Sequence, residues 1–261
     1  MINRSYPTDG DSPKDDKITQ WQQFTRYLSH LNLDAPANTS YKLLYLGRHG
    51  EGTHNVAEAF YGTPAWDAHW SKLNGNGTAS WSDAHLTALG EEQAREVHVF
   101  MGEQFGWAKM PEPRVWWVSP LWRCLQTAQL TWEGLKLEGE GFKPVIKEMV
   151  RETMGEHTGD RRSTLAAIRG GFAEWEVEEG FSEEDVLWEA EHRETHAEHD
   201  VRSRELLRDL FDSREDDGAE VVSFTAHSGT IASLLRVVGH GEFRLPTGGL
   251  IPVLVKATRL R

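Results

Sequence analysis

The feature that most constrains this chain is a repeated pairing of a short apolar run with a polar loop and then a helix-like stretch. Tyr41–Leu46, Val115–Val118, Pro144–Met149 and Val221–Thr225 are apolar runs of the length expected for buried strands. Helix-like spacing marks Trp21–Leu33, with Trp21, Phe24, Leu28 and Leu31 on one side, and Pro36 closes it. Further helices are expected over Asn55–Phe60, from Leu86 through Gln93, Val97 and Phe100, from Arg123 through Ala128, and over Thr230–Val238. Gly249–Thr258 supplies a last strand. Alternation of this kind predicts an α/β fold of three layers, a mostly parallel central sheet with helices on both faces. In such sheets ligands bind beyond the carboxyl ends of the strands.

Those ends are where the reactive residue types stand. The first run empties through Gly47 into Arg48-His49-Gly50-Glu51-Gly52, and the second into Ser119-Pro120-Leu121 with Arg123 close behind. The third leads to Arg151-Glu152 and the fourth to Ala226-His227-Ser228-Gly229. Arg48 is a permanently charged fork suited to anionic oxygens, and His49 is a nucleophile or base near neutral pH. Glycines let the backbone approach an anion, and a following helix N-terminus can lend N–H donors. A lone Arg-His pair is more often a structural histidine beside a surface arginine. Recurrence at four strand ends makes it part of a constellation.

Composition narrows the class. The 261 residues carry 38% hydrophobic content and a mean hydropathy of -0.57, which suits a soluble globular protein with a sizeable core. No apolar run approaches the ~18 residues a membrane helix needs. MINRSYPTDGDSPKDD has no apolar core of a secretion signal, and the single Cys124 allows no intrachain disulfide. A cytoplasmic protein without a membrane partner is expected. Net charge is -13, concentrated in residues 172–220, where 19 acidic residues face 5 basic ones. Such acidity argues against nucleic acid. It leaves an anionic small molecule open, because the segments carrying Arg48, Arg123, Arg151, Arg161 and Arg162 are locally basic. Residues 1–40 read as a polar, ill-ordered arm followed by a helix, and 41–261 as one α/β domain. Within it, 61–82 is an aromatic-rich active-site loop, and acidic 172–220 is helical in pattern, with Val201, Leu206, Leu207, Leu210 and Phe211 on one side. Oligomeric state leaves no trace.

The ordered set of motifs resembles the histidine phosphatase (phosphoglycerate mutase-like) superfamily. Its carriers are L-G-R-H-G-E-x-x-x-N at Leu46–Asn55, L-T-x-L-G-x-x-Q-A at Leu86–Ala94 and S-P-L-x-R-x-x-Q-T-A at Ser119–Ala128. E-x-x-G at Glu152–Gly155 and H-S-G at His227–Gly229 complete it. R-H-G-E-G-x-H-N, with R-E-x-x-G-x-H-T-x-D-R-R-S at Arg151–Ser163, is similar to the fungal and plant phosphomutase-like branch. Many members carry serine or threonine where Gly52 stands here, so a hydroxyl contact from that position is missing. The resemblance implies a phosphoric monoester hydrolase in which His49 takes the phosphoryl group covalently. Glu152 would act as acid and then base, and His227 would complete the catalytic set. Arg48, Asn55, Arg123 and Ser228 would bind substrate. Arginines would neutralise the phosphate, so neither metal nor cofactor is expected. A mutase, a binding protein that only recognises phosphate, and a member adapted to non-phosphate chemistry stay open.

Other signals are weaker. His192, His196 and His199, with Glu191 and Glu194, imitate a metal site, but Arg193 stands where the zinc-protease pattern wants glutamate, so a solvated helix face is expected. Cys124 is followed six residues on by Leu130 rather than arginine, which leaves it a packed helix residue. Asp9-Gly10-Asp11 lacks a preceding strand. Arg161 and Arg162 read equally as surface charges or as a substrate-phosphate clamp. Tyr61, Trp66, Trp70 and Trp81 either wall the pocket mouth or pack their own loop onto the sheet.

Overall fold

The computed structural model describes residues 4–10, 18–139, 141–212, 218–241 and 243–259. Among the described residues, six strands form one sheet: β1 (Thr39–Arg48), β2 (Val115–Val118), β3 (Pro144–Ile146), β4 (Glu176–Val177), β5 (Val221–Ala226) and β6 (Leu250–Thr258). Their order is β4-β3-β2-β5-β1-β6. Every neighbouring pair is parallel except β1 with β6, where Gly47 faces Leu250 and Thr39 faces Thr258. Parallel pairing sends the ends of β1, β2, β3 and β5 to one edge, which gathers the residues that follow them.

The described residues form α1 (Gln20–Leu33), α2 (Thr53–Tyr61), α3 (Thr63–Ala68), α4 (Ala88–Glu103), α5 (Trp122–Trp132), α6 (Leu165–Gly171), α7 (His196–Asp212) and α8 (Ser228–Val237) around the sheet. Strand side chains alternate between two cores, as period-two geometry requires. Leu44, Leu46, Trp117, Val222 and Phe224 join Leu206 and Leu210 of α7 and Ile231, Leu234 and Leu235 of α8. Leu43, Tyr45, Trp116 and Val118 face the other way, onto Leu28 of α1, Met101 of α4 and Leu125, Ala128 and Trp132 of α5. Burial on both faces explains why the strands read as unbroken apolar runs rather than alternating ones.

Several expectations need correction. The third strand stops at Ile146, and a 3-10 turn over Glu148–Val150 carries the chain to Arg151. The acidic stretch is helical only in α7. Its earlier part is irregular apart from β4, because Gly180 takes φ 82° and Glu183 and Asp185 wrap the Arg162 and Leu165 region. Val201 is exposed rather than buried with Leu206, Leu207 and Leu210. The 61–82 loop contains α3 and a short 3-10 turn, Trp70–Lys72. In the N-terminal arm, 1–3 and 11–17, including Asp11, lie outside the described residues. Pro7–Gly10 forms a 3-10 turn, and Tyr6 stacks on Tyr27 of α1 with ring centroids 5.3 Å apart.

Candidate active site

At the carboxyl edge of the sheet, β1 delivers Arg48 and the loop His49–Gly52. This loop is held by α4 through a contact that only two glycines allow. A Cβ on Gly50 would stand 2.2 Å from the Gly90 carbonyl oxygen, and one on Gly90 would stand 2.1 Å from that of Glu51. Side chains take up the loop amides. Gly50 N donates to Thr127 Oγ1 (3.0 Å), Glu51 N to Gln93 Oε1 (2.8 Å) and Gly52 N to Asn55 Oδ1 (2.9 Å). Thr87, the N-cap of α4, donates to the Glu51 carboxylate at 2.7 Å and accepts from Gly90 N at 3.1 Å. The backbone of this loop therefore makes no anion cradle, contrary to the sequence expectation.

His49 is buried, and its Nδ1 lies 2.6 Å from the Gly50 carbonyl oxygen. A carbonyl only accepts, so Nδ1 carries the proton and Nε2 keeps the lone pair. Burial first, then Arg123, His54 and Arg48, hold its pKa well below the ordinary histidine value. The imidazole is thus neutral at physiological pH. His227, the N-cap of α8, lies with its ring 5.1 Å from that of His49. Its Nε2 is 2.8 Å from Ser119 Oγ, and burial with Arg123 and His49 keeps it neutral as well.

Two guanidiniums share this field. Arg48 donates through Nη1 to Leu245 O (2.9 Å). Arg123, fully buried on α5, donates to Gly159 O (2.6 Å) and to Asp160 Oδ1 (2.8 Å). Four buried polar atoms around His49 have no hydrogen-bond partner: Arg48 Nε, Thr53 Oγ1, His54 Nδ1 and Arg123 Nε. Buried polar groups are nearly always paired, so this group of unpaired ones makes the region a candidate site. Glu152 sits at the N-terminus of α8. Its Oε2 accepts from Gly229 N (3.1 Å) and Ser228 Oγ (3.2 Å), and its Oε1 from Thr153 N (2.9 Å). The expected α8 backbone donor is consequently engaged by Glu152, as is Ser228. Asn55 turns its carbonyl back to Gly52 to open α2.

Arg162 is neither a surface charge nor a phosphate clamp, and Arg151 beside it is likewise committed to ion pairs. Both are buried. Arg151 pairs with Asp185 and Glu148, while Arg162 Nε donates to Glu148 Oε1 at 2.6 Å and its Nη2 to Ser182 and Glu184 carbonyls. Arg161 is exposed and lies over the Trp188 ring at 5.4 Å. The aromatic loop packs on itself. Tyr61 stacks on Trp70 (4.1 Å, 14°), and Trp66 and Trp81 are 4% and 1% exposed beside Ala57. Those indoles form a small core, not a pocket wall. His199 is buried, unlike the solvated face expected, and burial lowers its pKa to about 3, while His192 pairs with Glu198 at 3.3 Å. Among the described residues no three His, Cys, Asp or Glu side chains gather as a metal site. Cys124 is a packed helix residue whose thiol is pushed up by burial. No described helix is long and apolar enough to cross a membrane.

Two residues of this region escaped sequence reasoning. Asp160 anchors Arg123 and also accepts from Arg193 Nη1 at 2.8 Å. His54 places its ring 5.4 Å from that of His49. Asp160 and His54 both stood inside motifs already noted, T-x-D-R-R and G-x-H-N, but spacing alone gave them no partner.

Residues 44–245 match the family described as the histidine phosphatase superfamily (branch 1). A "Probable phosphoglycerate mutase" of Arthroderma benhamiae is 44% identical over 257 residues, 98% of this chain and 76% of its own length. One from Saccharomyces cerevisiae is 34% identical, covering 97% of this chain and 92% of its own. Among solved structures, a mycobacterial hydrolase superposes with a TM-score of 0.51 at 19% identity, over 84% of this chain and 97% of that one. A mycobacterial glucosyl-3-phosphoglycerate phosphatase gives 0.50 at 22% identity, over 82% and 90%. At these identities the structural likeness speaks to the fold.

Proposed function

Because the chain belongs to the histidine phosphatase superfamily, we propose that it hydrolyses a small organic phosphomonoester through a phosphohistidine on His49, without a metal. One observation carries the reading: Nδ1 of His49 is tied to the Gly50 carbonyl at 2.6 Å, which leaves an uncharged nucleophilic Nε2. That nitrogen attacks phosphorus as the ester P–O bond breaks. Glu152 gives its proton to the departing alcohol oxygen, then takes one from the water that attacks the phosphohistidine. Inorganic phosphate leaves and His49 is restored. Arg48 and Arg123 neutralise the equatorial oxygens through N–H groups that include the two unpaired Nε atoms. His227 adds a neutral donor and the Asn55 amide NH2 another, while Ser228, whose hydroxyl donates to Glu152, holds the acid in place rather than the phosphate.

A second reading, a phosphomutase, has the names of the fungal relatives behind it. It uses the same His49 but returns the phosphoryl group to the product. A protein that merely bound phosphate would need neither His49 nor Glu152. The test is a phosphomonoester panel assayed with chelator present, following free phosphate and isomerised ester together. His49→Ala is expected to fold and to lose nearly all turnover, and rapid quench of the native protein should trap acid-labile phosphate. Near-native turnover in His49→Ala would overturn the mechanism, and isomer formation without phosphate release would favour the mutase.

A further inference from the structure

His54, in the first turn of α2, has no task in the scheme above, yet its ring stands 5.4 Å from that of the nucleophile and tilted by 52°. The room it occupies exists because residue 52 is glycine. A Cβ there would meet His54 Nδ1 at 2.7 Å and Cε1 at 2.9 Å, so a side chain at 52 and this imidazole position exclude each other. Nδ1 is buried against that glycine with no hydrogen-bond partner. An orphaned buried N–H is rarer than an under-satisfied acceptor, which puts the ring proton on Nε2. The residue as a whole is half-buried. Burial, then Arg123 and Arg48, hold the imidazole well below its ordinary pKa and hence neutral, in the same positive field that surrounds His49.

We propose that His54 is a further substrate-contacting residue, donating a neutral Nε2–H to an oxygen of the phosphoryl group that His49 attacks, with Gly52 fixing its tautomer and orientation. The proposal rests on the phosphohydrolase reading. It gives residue 52 a physical role: the glycine replaces a side-chain contact of its own with space for the imidazole two residues on. The phosphoryl group gains a donor without further positive charge, which limits product retention in a pocket that already holds two arginines.

The test compares His54→Ala, His54→Gln, Gly52→Ser and the double variant Gly52→Ser/His54→Ala with the native chain, and uses His49→Ala as control. The readouts are kcat/KM for p-nitrophenyl phosphate, the inhibition constant of vanadate, and the melting temperature with and without vanadate. Loss of one hydrogen bond to a charged oxygen corresponds to about tenfold to a hundredfold. His54→Ala should lose that much in kcat/KM and weaken vanadate by a similar factor, and His54→Gln should recover part of both. Gly52→Ser should cost a comparable factor alone by displacing the ring, but little more in the His54→Ala background, since coupled sites are not additive. Native-like kcat/KM and vanadate binding in His54→Ala would overturn the proposal, as would losses that multiply in the double variant. Should His54→Ala fail to fold, a folded Gly52→Ser with native kcat/KM overturns it equally. An active His49→Ala would sink the hydrolase reading itself. An inactive His49→Ala beside an unaffected His54→Ala rejects only the role of His54.

Discussion

Asp160→Asn is the substitution whose cost the structure defines most closely. The Asp160 side chain is 8% exposed, between Arg123 at 0% and Arg193 at 28%, with both N–O distances 2.8 Å. An asparagine can keep one acceptor oxygen. The fully buried Arg123 has the greater need of it, so the new amide NH2 must face Arg193 as donor against donor. Arg193 retains the Thr153 and Gly155 carbonyls and can adjust. The loss is therefore about one charge-assisted hydrogen bond and part of a buried ion pair, roughly 2–3 kcal/mol. For a chain of this size that lowers the melting temperature by about 5–10 °C. The pH dependence has a definite sign. Burial alone would raise the pKa of Asp160, but Arg193 and Arg123 outweigh it and hold the carboxyl below its ordinary value. Its contribution is accordingly present above the unfolded carboxylate pKa of about 3.9 and disappears as pH falls through the still lower native value. Thermal melts of native and Asp160→Asn protein should differ fully at pH 7 and converge below about pH 4. Other carboxylates titrate in both proteins alike and cancel in the difference. A variant melting within a degree of the native protein at pH 7, or a gap that widens in acid, would refute the reasoning.

Glu152→Gln should slow hydrolysis of alkyl phosphates by about 10²–10⁴ and of p-nitrophenyl phosphate far less, since a good leaving group needs no acid; equal losses would remove Glu152 from that role. Trp66→Ala empties the small aromatic core beneath α2 and α3 and should cost about 3–5 kcal/mol, read as a lower melting temperature with p-nitrophenyl phosphate kinetics preserved. A selective rise in KM for bulky substrates at unchanged melting temperature would instead restore the aromatic loop as a pocket wall.

The strands were legible because a sheet buried on both faces writes itself as apolar runs, and Val115–Val118 appears in the structure with the bounds read from sequence. Their parallel pairing then accounts for why Arg48, His49, Arg123, Glu152 and His227 meet at one edge. β4 was not legible, since Glu176–Val177 is too short to carry a pattern and exists only by pairing with β3. The acidic stretch misled because its charge answers residues distant in sequence: Asp185 serves Arg151, 34 positions away, and Glu194 accepts from the Met154 amide, 40 positions away. Charge counting sees a solvated face where the fold makes buried ion pairs. The same limit hid Asp160, whose meaning depends on two arginines that no spacing rule connects, and the Gly52–His54 pair, whose meaning is steric.

The loop that presents His49 has spent its own amides on Thr127, Gln93 and Asn55 and is wedged glycine against glycine on α4. On the proposed function, recognition of the ligand's charge is left to side chains on several separate elements. A backbone cradle resists sequence drift, since almost any residue preserves its N–H groups. A cradle of side chains can be retuned one codon at a time while the loop that aims the nucleophile stays rigid. Divergence within such a lineage is then expected to alter what the pocket holds long before it alters where the attacking nitrogen points.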